Sequence, residues 1–260
     1  MNTITDTIPE GREDLTFIRP FSPIIVKQQM SEEILGIVEN AFSKAFDDTT
    51  AGHEYNLAGN MKREFTIDQT LLGEEDANKF IQMLANGGGE LYKASKLQIW
   101  ENMRKAATSK HIEMIENNLQ NMQLNVAVHQ AWGNISVAGD WNPVHRHSGM
   151  VSGVGYIKLP DDIEFEWENE DHDPSAGMIQ FTDSRSQDLS SNNIRLRPEI
   201  GVIYFFPAWL MHMVYPFRSK GERWSFSFNL DVKNQYPDIQ LTDAQKMEMI
   251  EHREKLIAES

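Results

Sequence analysis

Between residues 124 and 232 the chain breaks into short apolar or alternating segments, and this pattern limits the possible folds more than any other feature. The segments lie at 125–137, 150–159, 162–167, 178–181, 202–206 and 224–232. Clusters of Gly, Pro, Asp and Ser separate them. Alternation with a period of two buries one face of a strand, and turn residues at such intervals bring successive strands back alongside each other. Many short strands joined in this way form an antiparallel barrel or sandwich.

The chain before this stretch has a different rhythm. Residues 1–16 form a polar tail, and 23–30 read as a strand. Ser31 is an N-cap ahead of a helical stripe of Ile34, Ile37, Val38 and Phe42. A loop is expected at 47–55, then helices at 71–84 and 112–119, with Gly87, Gly88 and Gly89 breaking the first of them. Thr242 caps a closing helix that runs to about Ile257. The expected architecture is α+β: a polar tail over 1–16, a helical region over 17–122, a β core over 123–232 and a C-terminal helix within 233–260.

Charge and cysteine content exclude several function classes. The net charge is −15, and no Lys/Arg run offsets it. Nucleic-acid affinity comes largely from cationic contacts to phosphates, so a nucleic-acid substrate is disfavoured. There are no cysteines, which removes disulfides, thiolate metal sites and Cys nucleophiles. The first residues lack a signal-peptide pattern, and no apolar run approaches the roughly 18 residues of a membrane span. The expected location is the cytoplasm.

Chemistry concentrates in two places. His145 and His147 close the run Gly139-Asp-Trp-Asn-Pro-Val-His-Arg-His147. Residues i and i+2 on a strand share a face, so both imidazoles can reach one point. His212 follows the apolar strand at 202–206 and the turn Pro207-Ala208-Trp209. Two close ligands and one on a facing strand make a facial cap that leaves metal positions open, although His-x-His alone also fits exposed turn histidines. The second place is Arg223-Trp-Ser225, where Arg and Ser share one strand face and Trp224, Phe226 and Phe228 share the other. A cation beside a hydroxyl suits a dicarboxylate. Taken alone, it suits a surface salt bridge equally well.

The order of these motifs resembles a known family. Gly-x-x-Asn-x-x-His-x-His is followed by Ser152-Gly-Val-Gly-Tyr156-Ile-Lys-Leu-Pro160 and by Gly177-Met-Ile-Gln-Phe-Thr-Asp183-Ser-Arg185. Gly201-Val-Ile-Tyr-Phe-Phe-Pro-Ala-Trp-Leu-Met-His212 and Glu222-Arg-Trp-Ser-Phe-Ser-Phe-Asn229 complete the series. The series resembles the 2-oxoglutarate/Fe(II) oxygenases of marine bacteria and their phages, distant relatives of the prolyl hydroxylases. The resemblance covers about 125–232, with a weaker echo at 56–62.

That resemblance implies a double-stranded β-helix (jelly-roll) core holding Fe(II), with 2-oxoglutarate and O2 as co-substrates. It implies His145, His147 and His212 as metal ligands, and Arg223 with Ser225 on the remote carboxylate of 2-oxoglutarate. Prolyl hydroxylases carry Asp where this chain has His147; should His147 not bind, Asp140 is the nearby carboxylate. Tyr156 either offers its hydroxyl to 2-oxoglutarate or packs in the core. Asn142 and Asn134 either line the site or serve as turn and strand-end residues. Trp132, Phe206 and Trp209 read as core, and Asp183 with Arg185 as a loop-stabilising pair. His53, His111, His129, His172 and His252 lack matched partners. Three neutral ligands should release metal as pH falls near 6.5.

The implied reaction couples decarboxylation of 2-oxoglutarate to succinate with C–H hydroxylation of a peptide, protein or small molecule. Two other readings keep the barrel. One is a cupin-like three-His metal enzyme that does not use 2-oxoglutarate, and the other is a non-catalytic binding module.

Overall fold

The computed structural model describes residues 15–18, 23–47, 63–104, 107–169, 174–183, 192–234, 247 and 250–251. The expected tail before residue 15, the loop after residue 47, the echo at 56–62, Arg185 and nearly all of the C-terminal helix lie outside them. So do His53, His172 and His252.

The polypeptide forms three layers: helices, a large sheet and a small sheet. The strands are β1 (Leu15–Ile18), β2 (Ile25–Gln29), β3 (Arg63–Thr66), β4 (Leu124–Val137), β5 (Asn142–His145), β6 (Val151–Lys158), β7 (Ile179–Thr182), β8 (Asn193–Leu196), β9 (Val202–Pro207), β10 (Met211–Val214) and β11 (Glu222–Asn234). The large sheet has the order β1-β2-β9-β6-β11-β4-β3 and the small one β5-β10-β7-β8. Every pairing is antiparallel. Successive strands cross between the two sheets, which is the double-stranded β-helix expected from the sequence.

Each face of the large sheet has its own core. The outer face carries Phe65, Ile135, Ile203, Phe205, Phe226, Phe228 and Leu230 against the helices. These helices are α1 (Glu32–Asp47), α2 (Gln69–Leu72), α3 (Glu74–Arg104) and α4 (Ser109–Gln120). Burying one such Phe or Leu contributes roughly 1.5–3 kcal/mol. The Ser31 hydroxyl accepts from the Ile34 N–H at 3.3 Å, as an N-cap should. Behind it Ile34, Ile37, Val38, Ala41 and Phe42 are buried. The inner face packs Val154, Tyr156, Tyr204 and Phe206 against Ile179, Phe181, Leu196 and Leu210.

Two expectations fail, each for a visible reason. The helix does not break at Gly87-Gly88-Gly89, because α3 runs through all three. A Cβ on Gly87 would lie 2.2 Å from the Phe205 ring, and one on Gly88 would lie 2.5 Å from Leu230 Cδ1. The glycines therefore let the helix backbone approach the sheet; they do not end the helix. The segment at 162–167 is not a strand but belongs to α5 (Ile163–Asn169). Ile163 and Trp167, four residues apart, pack with Ala176 and Phe217, while Phe165 between them is 67% exposed. The period of four governs here, and the alternation in the sequence is incidental. The Glu166 carboxylate accepts the N–H groups of Arg218 and Ser219, tying α5 to the loop before β11. No helix among the described residues is long and apolar enough to cross a membrane.

Candidate metal and dicarboxylate site

The small sheet brings the three histidines together. His145 ends β5 and His212 lies in β10, and the two are direct partners across the pair. His147 sits two residues past His145, with its N–H bonded to the Ala208 carbonyl at 3.0 Å in the turn after β9. The ring centroids are 4.3 Å apart for His145 and His212, and 5.0 Å apart for each pair that includes His147. One ring nitrogen from each residue lies within 4.8 Å of the other two.

Backbone carbonyls set the direction of two of the rings. His145 Nδ1 lies 2.6 Å from the Pro143 carbonyl, and His212 Nδ1 lies 2.9 Å from the Leu210 carbonyl. A carbonyl can only accept, so both Nδ1 atoms carry the proton and both Nε2 atoms keep a free lone pair. Phe181 and Phe206 pack against the His212 ring, and Trp132 lies 5.6 Å from His147. Burial, reinforced by the neighbouring His145, lowers the pKa of His212 to about 3 and that of His147 to about 4. Neutral imidazole is the metal-binding form. Proton competition at these two rings thus begins well below the value near 6.5 expected from sequence.

On the inner face of the large sheet, β11 supplies a cation and a hydroxyl. Arg223 and Ser225 are 3% and 5% exposed, on the inner face, while Phe226 and Phe228 point to the helices. The surface-salt-bridge reading of Arg223 is therefore excluded. Arg223 Nη1 donates to the Gly177 carbonyl at 3.0 Å and Nη2 to the Ser136 hydroxyl at 3.2 Å. Its Nε has no partner, and neither does the hydroxyl of Tyr156. Burial lowers the Arg223 pKa, with Tyr156 and Asp140 opposing that shift. Burial also raises the Tyr156 phenol to about 12, against a smaller opposing effect of Arg223. Register places Tyr156 and Asn134 on either side of Ser225. A buried guanidinium and a buried phenol, each with an unused donor, are suited to an anion.

The other sequence candidates fall in distinct places. Asp140 Oδ2 accepts from the Val137 N–H at 2.9 Å, so its carboxylate serves the turn and Arg223 and stays outside the histidine cluster. Asn134 and Asn142 are each left with an unpartnered buried Oδ1. Phe206 is core, Trp132 is partly buried beside His147, and Trp209 is 56% exposed, contrary to its reading as core. Trp209 sits in the turn after β9, where the chain reverses and its side chain meets solvent. Sequence reasoning missed Ser136 and the Gly177 carbonyl. Ser136 was findable, because it has the same strand parity as Asn134. The Gly177 carbonyl has no side-chain signal.

Part of the chain is similar to a known family. Residues 130–229 match the model of a family described as "Putative 2OG-Fe(II) oxygenase". The matched stretch contains the three histidines, Tyr156, Arg223 and Ser225. Among solved structures, a Pseudomonas putida prolyl-4-hydroxylase is 14% identical, covering 79% of this chain and 91% of that one, with a TM-score of 0.45. The viral collagen prolyl hydroxylase of Paramecium bursaria Chlorella virus-1, solved with 2-oxoglutarate, is 13% identical. It covers 79% of this chain and 94% of that one, with a TM-score of 0.42. A Trichoplax adhaerens prolyl hydroxylase is 10% identical over 84% and 83% of the two chains, with a TM-score of 0.43. No curated protein matches the chain in sequence.

Proposed function

We propose that the protein is an Fe(II)- and 2-oxoglutarate-dependent dioxygenase that hydroxylates a C–H bond of a peptide, protein or small-molecule substrate. The observation that carries this reading is the presence, between the two sheets, of three clustered imidazoles together with a buried arginine whose Nε is unused. His145, His147 and His212 would hold the metal as a facial cap that leaves positions open, with imidazole, a donor that suits iron, standing where the usual triad has a carboxylate. Arg223, Ser225 and the Tyr156 hydroxyl would hold the remote carboxylate of 2-oxoglutarate.

When bound, iron and 2-oxoglutarate supply the oxidising power, through decarboxylation to succinate in the presence of O2. The chain supplies position and exclusion of water. The Pro143 and Leu210 carbonyls hold two imidazoles in the tautomer that presents Nε2. Phe181, Phe206 and Leu210 shield His212 from water. Ser136 and the Gly177 carbonyl fix the guanidinium plane, so the unused Nε–H has one direction. The three-His cap alone would suit a cupin-like enzyme equally well, and Arg223 favours the 2-oxoglutarate reading. Thermal unfolding with Mn(II) as a redox-inert metal tests this. 2-Oxoglutarate should raise the melting temperature, and succinate should form when Fe(II) and O2 replace Mn(II). No thermal shift and no succinate would end the oxygenase reading.

A further inference from the structure

Edge strand β3, which showed no signal in the sequence, extends the inner face of the large sheet beyond β4. Its register with β4 pairs Glu64 with Asn134, and Thr66 with Trp132. Directly paired residues share a face, with Cβ atoms roughly 4.5–5.5 Å apart. Phe65, between them, points the other way and stacks edge-on to Phe42 of α1 at 4.8 Å. Glu64 therefore lies on the inner face, in one row with Asn134, Ser225 and Tyr156 across four adjacent strands.

The row changes polarity along its length. At one end lie the unused donors of Tyr156 and Arg223. At the other end Asn134, 5% exposed, holds an unpartnered Oδ1, and Glu64 beside it makes no hydrogen bond or ion pair among the described residues. Asn134 Nδ2 donates to the Ser227 hydroxyl at 3.4 Å, so the edge left over is the Oδ1 acceptor, of the same sign as the carboxylate beside it. Burial raises the Glu64 pKa to about 7, and no cation opposes the shift. A half-buried carboxylate without a counter-charge is unfavourable unless something else supplies the charge. Among the described residues, the adjacent Arg63 does not supply it, because it extends to the Phe46 carbonyl at 2.8 Å on the helix side.

Building on the oxygenase reading, we propose that Glu64, with Asn134, receives a cationic nitrogen of the primary substrate, an ammonium or guanidinium group. The cavity then sorts its two small partners by charge: the dianionic co-substrate goes to the Arg223 end and the cationic substrate group to the Glu64 end. The net charge of −15 also draws cations towards the protein from a distance.

The test uses the full chain loaded with Mn(II) and 2-oxoglutarate, and four probes. These are the N-acetyl methylamides of arginine and lysine, and of their neutral near-isosteres citrulline and norleucine. Affinities are measured by calorimetry for the parent, for Glu64→Gln and for Glu75→Gln, which removes an exposed charge on α3. The parent should bind at least one cationic probe tenfold or more tightly than its neutral counterpart. Glu64→Gln should abolish that preference, and Glu75→Gln should retain it. Equal binding of charged and neutral probes, binding of none of them, or a preference that survives Glu64→Gln overturns the proposal. A parallel 2-oxoglutarate titration separates the two readings. If 2-oxoglutarate binds parent and Glu64→Gln alike while the cation preference is absent, only this inference fails. If the parent does not bind 2-oxoglutarate, the oxygenase reading fails.

Discussion

Replacing Arg223 with Met removes one charge from a place that water does not reach. The side chain is 3% exposed, and two of its donors are taken by Gly177 and Ser136. Those two bonds anchor the guanidinium, and Nε is left for a ligand. Met retains much of the volume of the stem and adds no polar atom, so packing against Phe217, 5.7 Å from the guanidinium, is largely kept. What disappears is the partner of a desolvated carboxylate. Breaking a buried, hydrogen-bonded charge pair costs about 3–5 kcal/mol, which is roughly two to four powers of ten in affinity. Arg223→Met should therefore raise the Kd for 2-oxoglutarate at least a hundredfold. Mn(II) binding should be nearly unchanged, because the histidines stand on other strands. Anaerobic calorimetric titration of both proteins reads the two constants separately. Equal 2-oxoglutarate affinity in parent and variant would refute the assignment of Arg223 and, with it, the argument from an unused Nε.

Other perturbations test the remaining links. His145→Ala and His212→Ala should each abolish stoichiometric Fe(II) binding in an anaerobic metal assay, and full retention in either would show that the three-His set is wrong. Acid should act in two ways. Because His147 and His212 in the folded protein have pKa values of about 4 and about 3, the unfolded chain binds more protons from near 6.5 downwards. Glu64 acts in the opposite sense, because its carboxyl is raised to about 7 in the folded protein and favours folding as the pH falls. Two histidines shifted at least as far outweigh it, so the melting temperature of the metal-free protein should fall between pH 7 and 5; a flat profile would contradict the buried, neutral rings. Metal content should persist below pH 6 on stepwise acidification, whereas loss centred at 6.5 would mean solvent-exposed ligands. Gly87→Ala should destabilise by about 1–3 kcal/mol through overpacking against Phe205, outweighing the roughly 1 kcal/mol gain in helix propensity. Gly89→Ala meets only Leu124 Cδ1 at 3.5 Å and should be neutral or stabilising in denaturant unfolding.

Strand parity made the barrel legible in the sequence. The segments at 125–137, 150–159, 202–206 and 224–232 correspond to β4, β6, β9 and β11, because each buries a full face of a central strand. The short strands β3, β5, β8 and β10 have four residues each, too few for alternation to stand out from chance. The histidine cluster was legible through its spacing and motif order. Glu64 was not, because its position depends on β3 pairing with a strand some seventy residues later. The glycine triplet misled for a related reason. Read locally, three glycines signal a helix stop, yet their role is set by Phe205 and Leu230, far along the chain. Trp209 misled in the opposite direction, since a large aromatic in a turn need not be buried.

Strand length divides the site into parts of unequal resistance to local opening. β11 has thirteen residues and is paired on both sides, so releasing Arg223 or Ser225 means dismantling the centre of the large sheet. β5 has four residues, lies at the edge of the small sheet and carries His145 at its last position. Short, singly paired segments open at a free energy far below that of global unfolding. The Arg223 end of the inner face thus belongs to the structure that opens last, whereas the His145–His147 segment opens at lower cost. Under the proposed function, metal would load and exchange through that local opening while the co-substrate's end of the site stays in place.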